Sequence, residues 1–133
     1  MNREITDIPM ILLAEPEEAI RESIEMILID EGYDCHPVSH TRALMQAISI
    51  HNSDLIIADV GMIYDSIEEI LDAQKKYSDF PPFLVTLSYE QVRDMLYLMK
   101  FGITEYLIKP FPFDEMTSRI RKILDEQPSR HLS

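Results

Sequence analysis

Short apolar runs alternate with stretches whose apolar residues recur every three or four positions along most of the chain. MILLAE (10–15) stays apolar up to its last residue and is bounded by Pro9 and Pro16, which marks a buried strand. In EEAIRESIEMILIDE (17–31), Ile20, Ile24, Ile27 and Leu28 fall on one helical face, and Gly32 follows as the C-terminal stop. YDCHPV (33–38) is a weaker strand, and Pro37 assigns it to a sheet edge because proline cannot donate to a ladder. Ser39 is expected to cap a helix running to about His51, with Leu44, Ala47 and Ile48 turned inward.

DLIIADV (54–60) is the strongest strand signal, apolar on both faces as a central parallel strand must be. A helix over 66–77 follows, built on Ile67, Ile70 and Leu71, and then the strand PFLVTL (82–87). Ser88 is expected to cap a helix over 89–101 carrying Val92, Met95, Leu96 and Met99, which Gly102 ends. EYLI (105–108) is a short last strand, and Asp114 is expected to cap a final helix with Met116, Ile120, Ile123 and Leu124 inward.

Strand and helix alternate about five times, which predicts an α/β fold: a doubly wound parallel sheet with helices on both faces and right-handed crossovers. No repeat or linker divides the chain, so it reads as a single domain over 1–133, with a core of about 9–126 and a tail over 127–133. With only that tail after the last helix, no output domain is expected within the chain.

Charge narrows the function. The chain carries 24 acidic and 12 basic residues, a net charge of -12. A nucleic-acid partner needs a basic face, and an anionic membrane surface would repel this chain. No apolar run approaches the roughly 18 residues of a membrane span, and the acidic start MNREITDIPM lacks the apolar core of a signal peptide. Cys35 is the lone cysteine, which excludes an intramolecular disulfide and a cysteine metal site. A cytoplasmic location is expected. Met10, Met45, Met62, Met95, Met99 and Met116 read as core filler.

In open parallel sheets ligands bind beyond the carboxyl ends of the strands. Those ends here are Glu15, Asp59, Thr86 and Lys109. Two carboxylates, a hydroxyl and an ammonium form a phosphoryl-transfer set: a carboxylate nucleophile, an acid to help hold a divalent cation, and two groups for phosphoryl oxygens.

With those residues in view, the chain resembles a response regulator receiver domain, the phosphoacceptor module of two-component signalling. DLIIAD is similar to the family's third-strand motif, FLVTLS to its fourth strand, and FGITEYLIKPF to its fifth-strand region. IRESIEMILIDEGY matches its first helix in length and register. The resemblance implies a five-stranded flavodoxin-like receiver fold with strand order 2-1-3-4-5. It implies Asp59 as phosphoacceptor, and Thr86, Lys109 and Tyr106 as phosphate-binding and switch residues. It implies a cis Lys109-Pro110 bond and Mg²⁺ held by Glu15, Asp59 and the carbonyl of Gly61. A histidine kinase or phosphotransfer protein would be the donor. A downstream protein, or a second copy, would read the face of the fourth helix, fifth strand and fifth helix, where Tyr89, Tyr97, Phe101, Arg93 and Lys100 suit a partner.

Three positions depart from the family pattern. Pro16 stands where a second acid usually follows the first strand, which is expected to weaken cation binding. Leu87 replaces a small residue and is expected to narrow access to the site. Ile63 replaces a proline in the loop after the phosphoacceptor. These departures motivate an alternative, a degenerate receiver that binds proteins independently of phosphorylation. An enzyme is disfavoured. Aspartyl-phosphate hydrolases need an acid two residues after the nucleophile, where this chain has Gly61. EPEEAI is acidic and glycine-free, so it would repel a nucleotide or flavin phosphate.

Overall fold

The computed structural model describes residues 8–50 and 52–127. Five strands, β1 (Met10–Ala14), β2 (Asp34–Val38), β3 (Leu55–Asp59), β4 (Phe83–Leu87) and β5 (Tyr106–Ile108), form one sheet in the order β2-β1-β3-β4-β5. All four pairings are parallel. The helices are α1 (Glu18–Asp30), α2 (Thr41–Ile48), α3 (Val60–Ile63), α4 (Ile67–Lys76), α5 (Val92–Met99) and α6 (Phe113–Glu126). This is the doubly wound 2-1-3-4-5 sheet of the sequence reading, with Pro37 on the edge strand. The expected tail lies outside the described residues apart from Gln127, as does the start of the chain over 1–7.

Side chains alternate across each strand, so one sheet makes two cores. Leu12, Ala58 and Val85 pack with Leu44 of α2, Ile70 of α4 and Leu98 of α5. Leu13, Ile57 and Leu84 pack on the other face with Ile24 and Leu28 of α1 and Met116, Ile120 and Ile123 of α6. At β3 all five residues are buried, which accounts for its continuous apolar signal.

Local chemistry sets the helix ends. After α1, the Tyr33 N–H reaches the Leu28 carbonyl and the Gly32 N–H reaches Ile29, with Gly32 at φ +99°. That left-handed turn is one that glycine adopts without strain. Two expected caps are corrected. His40, not Ser39, caps α2, its Nδ1 accepting the Ala43 N–H at 3.2 Å. Pro112, not Asp114, stands at the start of α6, its fixed φ suiting the extended backbone there, and Asp114 lies in the first turn. Within α5, Met95 and Leu98 are buried, whereas Leu96 and Met99 are exposed. The apolar residues of that helix therefore serve two faces, and Met99 is not core filler.

The largest departure from expectation lies just after β3. Residues 61–65, left between the expected strand and helix as a loop, fall in α3 and a 3-10 turn over Tyr64–Ser66. Asp59 supplies the N-cap, and Ile63 has the backbone N–H that a proline would lack. Val60, Met62 and Ile63 of this turn are buried.

Candidate functional site

Alternation carries forward from the core to the sheet edge. Leu13, Ile57 and Leu84 face α1 and α6, so Glu15, Asp59 and Thr86, each two residues later, share that face. Asp59 and Thr86 are direct partners across the β3–β4 pairing. Lys109 follows β5 and is held at the same edge by its N–H, which donates to the Leu87 carbonyl at 2.7 Å.

The lysine gathers the acids. Its Nζ lies 2.7 Å from Glu15 Oε1 and 2.9 Å from Asp59 Oδ1. The other oxygen of each acid accepts a nearby backbone N–H: Glu17 to Glu15 Oε2 at 3.0 Å, and Gly61 to Asp59 Oδ2 at 2.9 Å. Glu15 is 2% exposed and Asp59 7%. Two carboxylates that deep are tolerable only because they are paired and hydrogen-bonded. Burial works to lower the Lys109 pKa, but its hydrogen bonds to Glu15 and Asp59 together outweigh that and hold it above its ordinary 10.5.

Thr86 is 2% exposed, and its hydroxyl has no hydrogen-bond partner among the described residues. A buried hydroxyl without a partner costs free energy, so such groups are uncommon. This one stands beside Asp59. Tyr106 is paired with Val85, on the opposite face of the sheet, and is 38% exposed. The Lys109-Pro110 bond is cis, as the resemblance implies.

Gly61 lies in the first turn of α3 and gives its N–H to Asp59 Oδ2. One expectation changes. Leu87 is 1% exposed and packs in the core on the α2, α4 and α5 face, opposite Asp59, so it does not narrow the site.

Among the described residues no cluster of three or more His, Cys, Asp or Glu could hold a metal. Pro16 offers no side-chain ligand, and Glu17 and Glu18 are exposed. Glu15 and Asp59 remain, each with lone pairs beyond those already engaged. Mg²⁺ is commonly held by about one or two carboxylates together with substrate phosphate and water, so this pair fits it as a sparse donor set.

Two residues at the edge were missed from the sequence. Arg21 of α1 donates from Nη1 to the Glu15 carbonyl at 2.9 Å and tethers the turn after β1. Gln91 accepts the Ser88 N–H at 2.9 Å through Oε1. The Ser88-to-Gln91 spacing is a capping-box signature and was legible; the Arg21 contact, six residues from its partner, follows no local rule.

Sheet order and acidic edge together define an open α/β module with its polar site at the strand ends. The chain belongs to the response regulator receiver domain family, whose model matches residues 11–121. It is 32% identical over 114 residues to the transcriptional regulatory protein PcoR of Escherichia coli, covering 86% of this chain and 50% of that protein. It is 30% identical over 125 residues to the probable transcriptional regulator ycf27 of Cyanidium caldarium, covering 91% and 48%. The chain thus spans about half the length of these relatives. In fold it is similar to a CheY-like receiver domain protein from Methanospirillum hungatei JF-1, with a TM-score of 0.78 at 21% identity, covering 90% of this chain and 96% of that one. The non-phosphorylated HemR receiver domain from Leptospira biflexa is alike in fold, with a TM-score of 0.76 at 24% identity, covering 90% and 97%. Receiver domains of this family are signalling modules that interact with histidine kinases and downstream effectors. Among the described residues no helix is long and apolar enough to cross a membrane.

Proposed function

We propose that this receiver domain takes a phosphoryl group onto Asp59 from a phosphohistidine of a histidine kinase or phosphotransfer protein. The reading is carried by one observation: the buried hydroxyl of Thr86, without a partner among the described residues, beside an aspartate that Lys109 already holds. A phosphoryl group on Asp59 supplies the acceptor that Thr86 lacks.

A carboxylate oxygen of Asp59 attacks phosphorus in line. The P–N bond to the donor imidazole breaks, its electron pair returns to the ring, and an acyl phosphate forms. Lys109 moves its hydrogen bonding toward the new phosphoryl oxygens and offsets part of their charge. Glu15 and Asp59 would hold Mg²⁺, which would supply charge neutralisation for the incoming phosphoryl group. As Thr86 turns to the phosphoryl group, space opens at β4. Tyr106, on the adjacent strand, moves inward from its half-exposed position. The face of α5, β5 and α6 thereby changes, which is a population shift between two states. On and near α5, Tyr89, Leu96, Met99 and Phe101 are exposed, a set suited to a protein partner or a second copy. Tyr97 instead packs on the core and lies between Tyr64 and Phe101, tilted to the first and edge-on to the second, with ring centroids 5.2 and 5.1 Å away.

A second reading, a receiver that binds partners independently of phosphate, is favoured by Pro16. Mg²⁺-dependent loading with beryllofluoride, followed by NMR of the wild type and Asp59→Asn, separates the two. Shifts at Thr86, Tyr106 and Lys109 that require both Mg²⁺ and Asp59 support phosphorylation. Their absence at saturating Mg²⁺ supports the interaction module.

A further inference from the structure

Gly61 stands immediately beside the reactive carboxylate. A Cβ there would meet Asp59 Oδ2 at 3.0 Å and the Gln91 side-chain nitrogen at 3.7 Å. Gln91 lies far along the chain, in the 3-10 turn Tyr89–Gln91 that precedes α5. Its side chain reaches back across the sheet edge to the spot that a side chain at position 61 would occupy.

The orientation of its amide is fixed by chemistry. The Ser88 backbone N–H can only donate, so the Gln91 atom 2.9 Å from it is oxygen. The Ser88 hydroxyl adds a second bond to that same oxygen at 3.2 Å. The nitrogen is therefore the atom turned toward Gly61, whose added Cβ would also meet Asp59, and it has no acceptor among the described residues. A carboxamide anchored by its oxygen with both N–H donors left over is a preorganised anion contact. An acyl phosphate on Asp59 carries oxygens that need donors in addition to Lys109 and Thr86.

We infer that Gln91 is a further phosphoryl-binding residue of this site, donating from Nε2 to an oxygen of the group carried by Asp59. The inference rests on the phosphoacceptor reading of Asp59. It assigns to a side chain from the α5 end of the sheet the place that Gly61 leaves open.

The test separates this role from capping. Gln91→Glu keeps an oxygen acceptor for Ser88 but replaces the donor with a negative charge, whereas Gln91→Met removes both functions. Beryllofluoride affinity is titrated at saturating Mg²⁺ by tyrosine fluorescence on the full chain, with Asp59→Asn as the blank and circular dichroism to verify the fold. Phosphoryl binding predicts a loss on the order of tenfold for Gln91→Met and a larger loss for Gln91→Glu. Wild-type affinity in Gln91→Glu with loss only in Gln91→Met means capping alone and overturns the inference. Equal affinity in all three folded proteins overturns it too, while leaving the Asp59 reading intact. A wild type that takes up no beryllofluoride removes both together.

Discussion

Lys109 and Asp59, fifty positions apart, meet at 2.9 Å, and the same ammonium holds Glu15 at 2.7 Å. This one cation joins the ends of β1, β3 and β5. Removing it leaves two buried carboxylates facing each other without a counter-charge. Lys109→Met is therefore expected to cost about 3 kcal/mol of stability. Adding Asp59→Asn to that variant should restore part of the loss, because one of the two orphaned charges goes. Urea unfolding of the four proteins of the cycle measures the coupling. Strictly additive effects would show that the pair contributes no interaction.

The same cluster sets a pH dependence. The folded Lys109 pKa lies above the ordinary 10.5. A raised lysine pKa gives stability that is fully present below the unfolded value and is lost as pH rises through the folded one. The stability gap between wild type and Lys109→Met should hold steady from neutral pH up to about 10.5 and close above it. Chemical denaturation across alkaline pH checks this. A gap that closes at neutral pH would locate the controlling proton elsewhere.

Thr86→Val separates stability from switching. Valine has the same shape without the hydroxyl. Because that buried hydroxyl has no partner among the described residues, its removal should leave the fold unchanged or more stable by about 0.5–1 kcal/mol. Yet the variant should lose the Tyr106 response to beryllofluoride. A melting temperature lowered by several degrees would reveal a native bond to the hydroxyl and remove the main support for the phosphoacceptor reading.

The strands, the helices on both faces and the membership of the edge cluster were legible because burial forces continuous apolar strands, and a carboxylate ending one is conspicuous; the strand order came from the family resemblance alone. Asp59 and Thr86 could be read as sharing one sheet edge because both stand at the carboxyl ends of strands. What the chain hid were contacts set by side-chain reach rather than periodicity. Arg21 crosses to the Glu15 carbonyl, and Gln91 reaches toward Gly61. The helical turn α3 was hidden too. Its apolar residues fit loop or helix equally well, and the decision falls to the Asp59 cap and the absence of proline at Ile63. That turn matters, since it brings the Gly61 N–H to Asp59.

Pro16→Asp tests whether that sparse donor set limits the cation. An aspartate there adds a carboxylate next to Glu15, and Mg²⁺ affinity should rise roughly tenfold, about 1.4 kcal/mol. Without metal the variant should be less stable than wild type for two reasons. Losing proline frees the unfolded chain, worth about 0.4–1 kcal/mol. The new charge also repels Glu15, which is 2% exposed and poorly screened. Mg²⁺ binds only the folded site, so it should recover this loss as its concentration rises. Thermal melts of both proteins across an Mg²⁺ series report this directly, with Ca²⁺ and high NaCl as controls for general screening. A steeper Mg²⁺ dependence in Pro16→Asp identifies the proline as the element that weakens the site. Parallel curves would mean that Lys109, already seated between Glu15 and Asp59, sets the limit on cation binding instead.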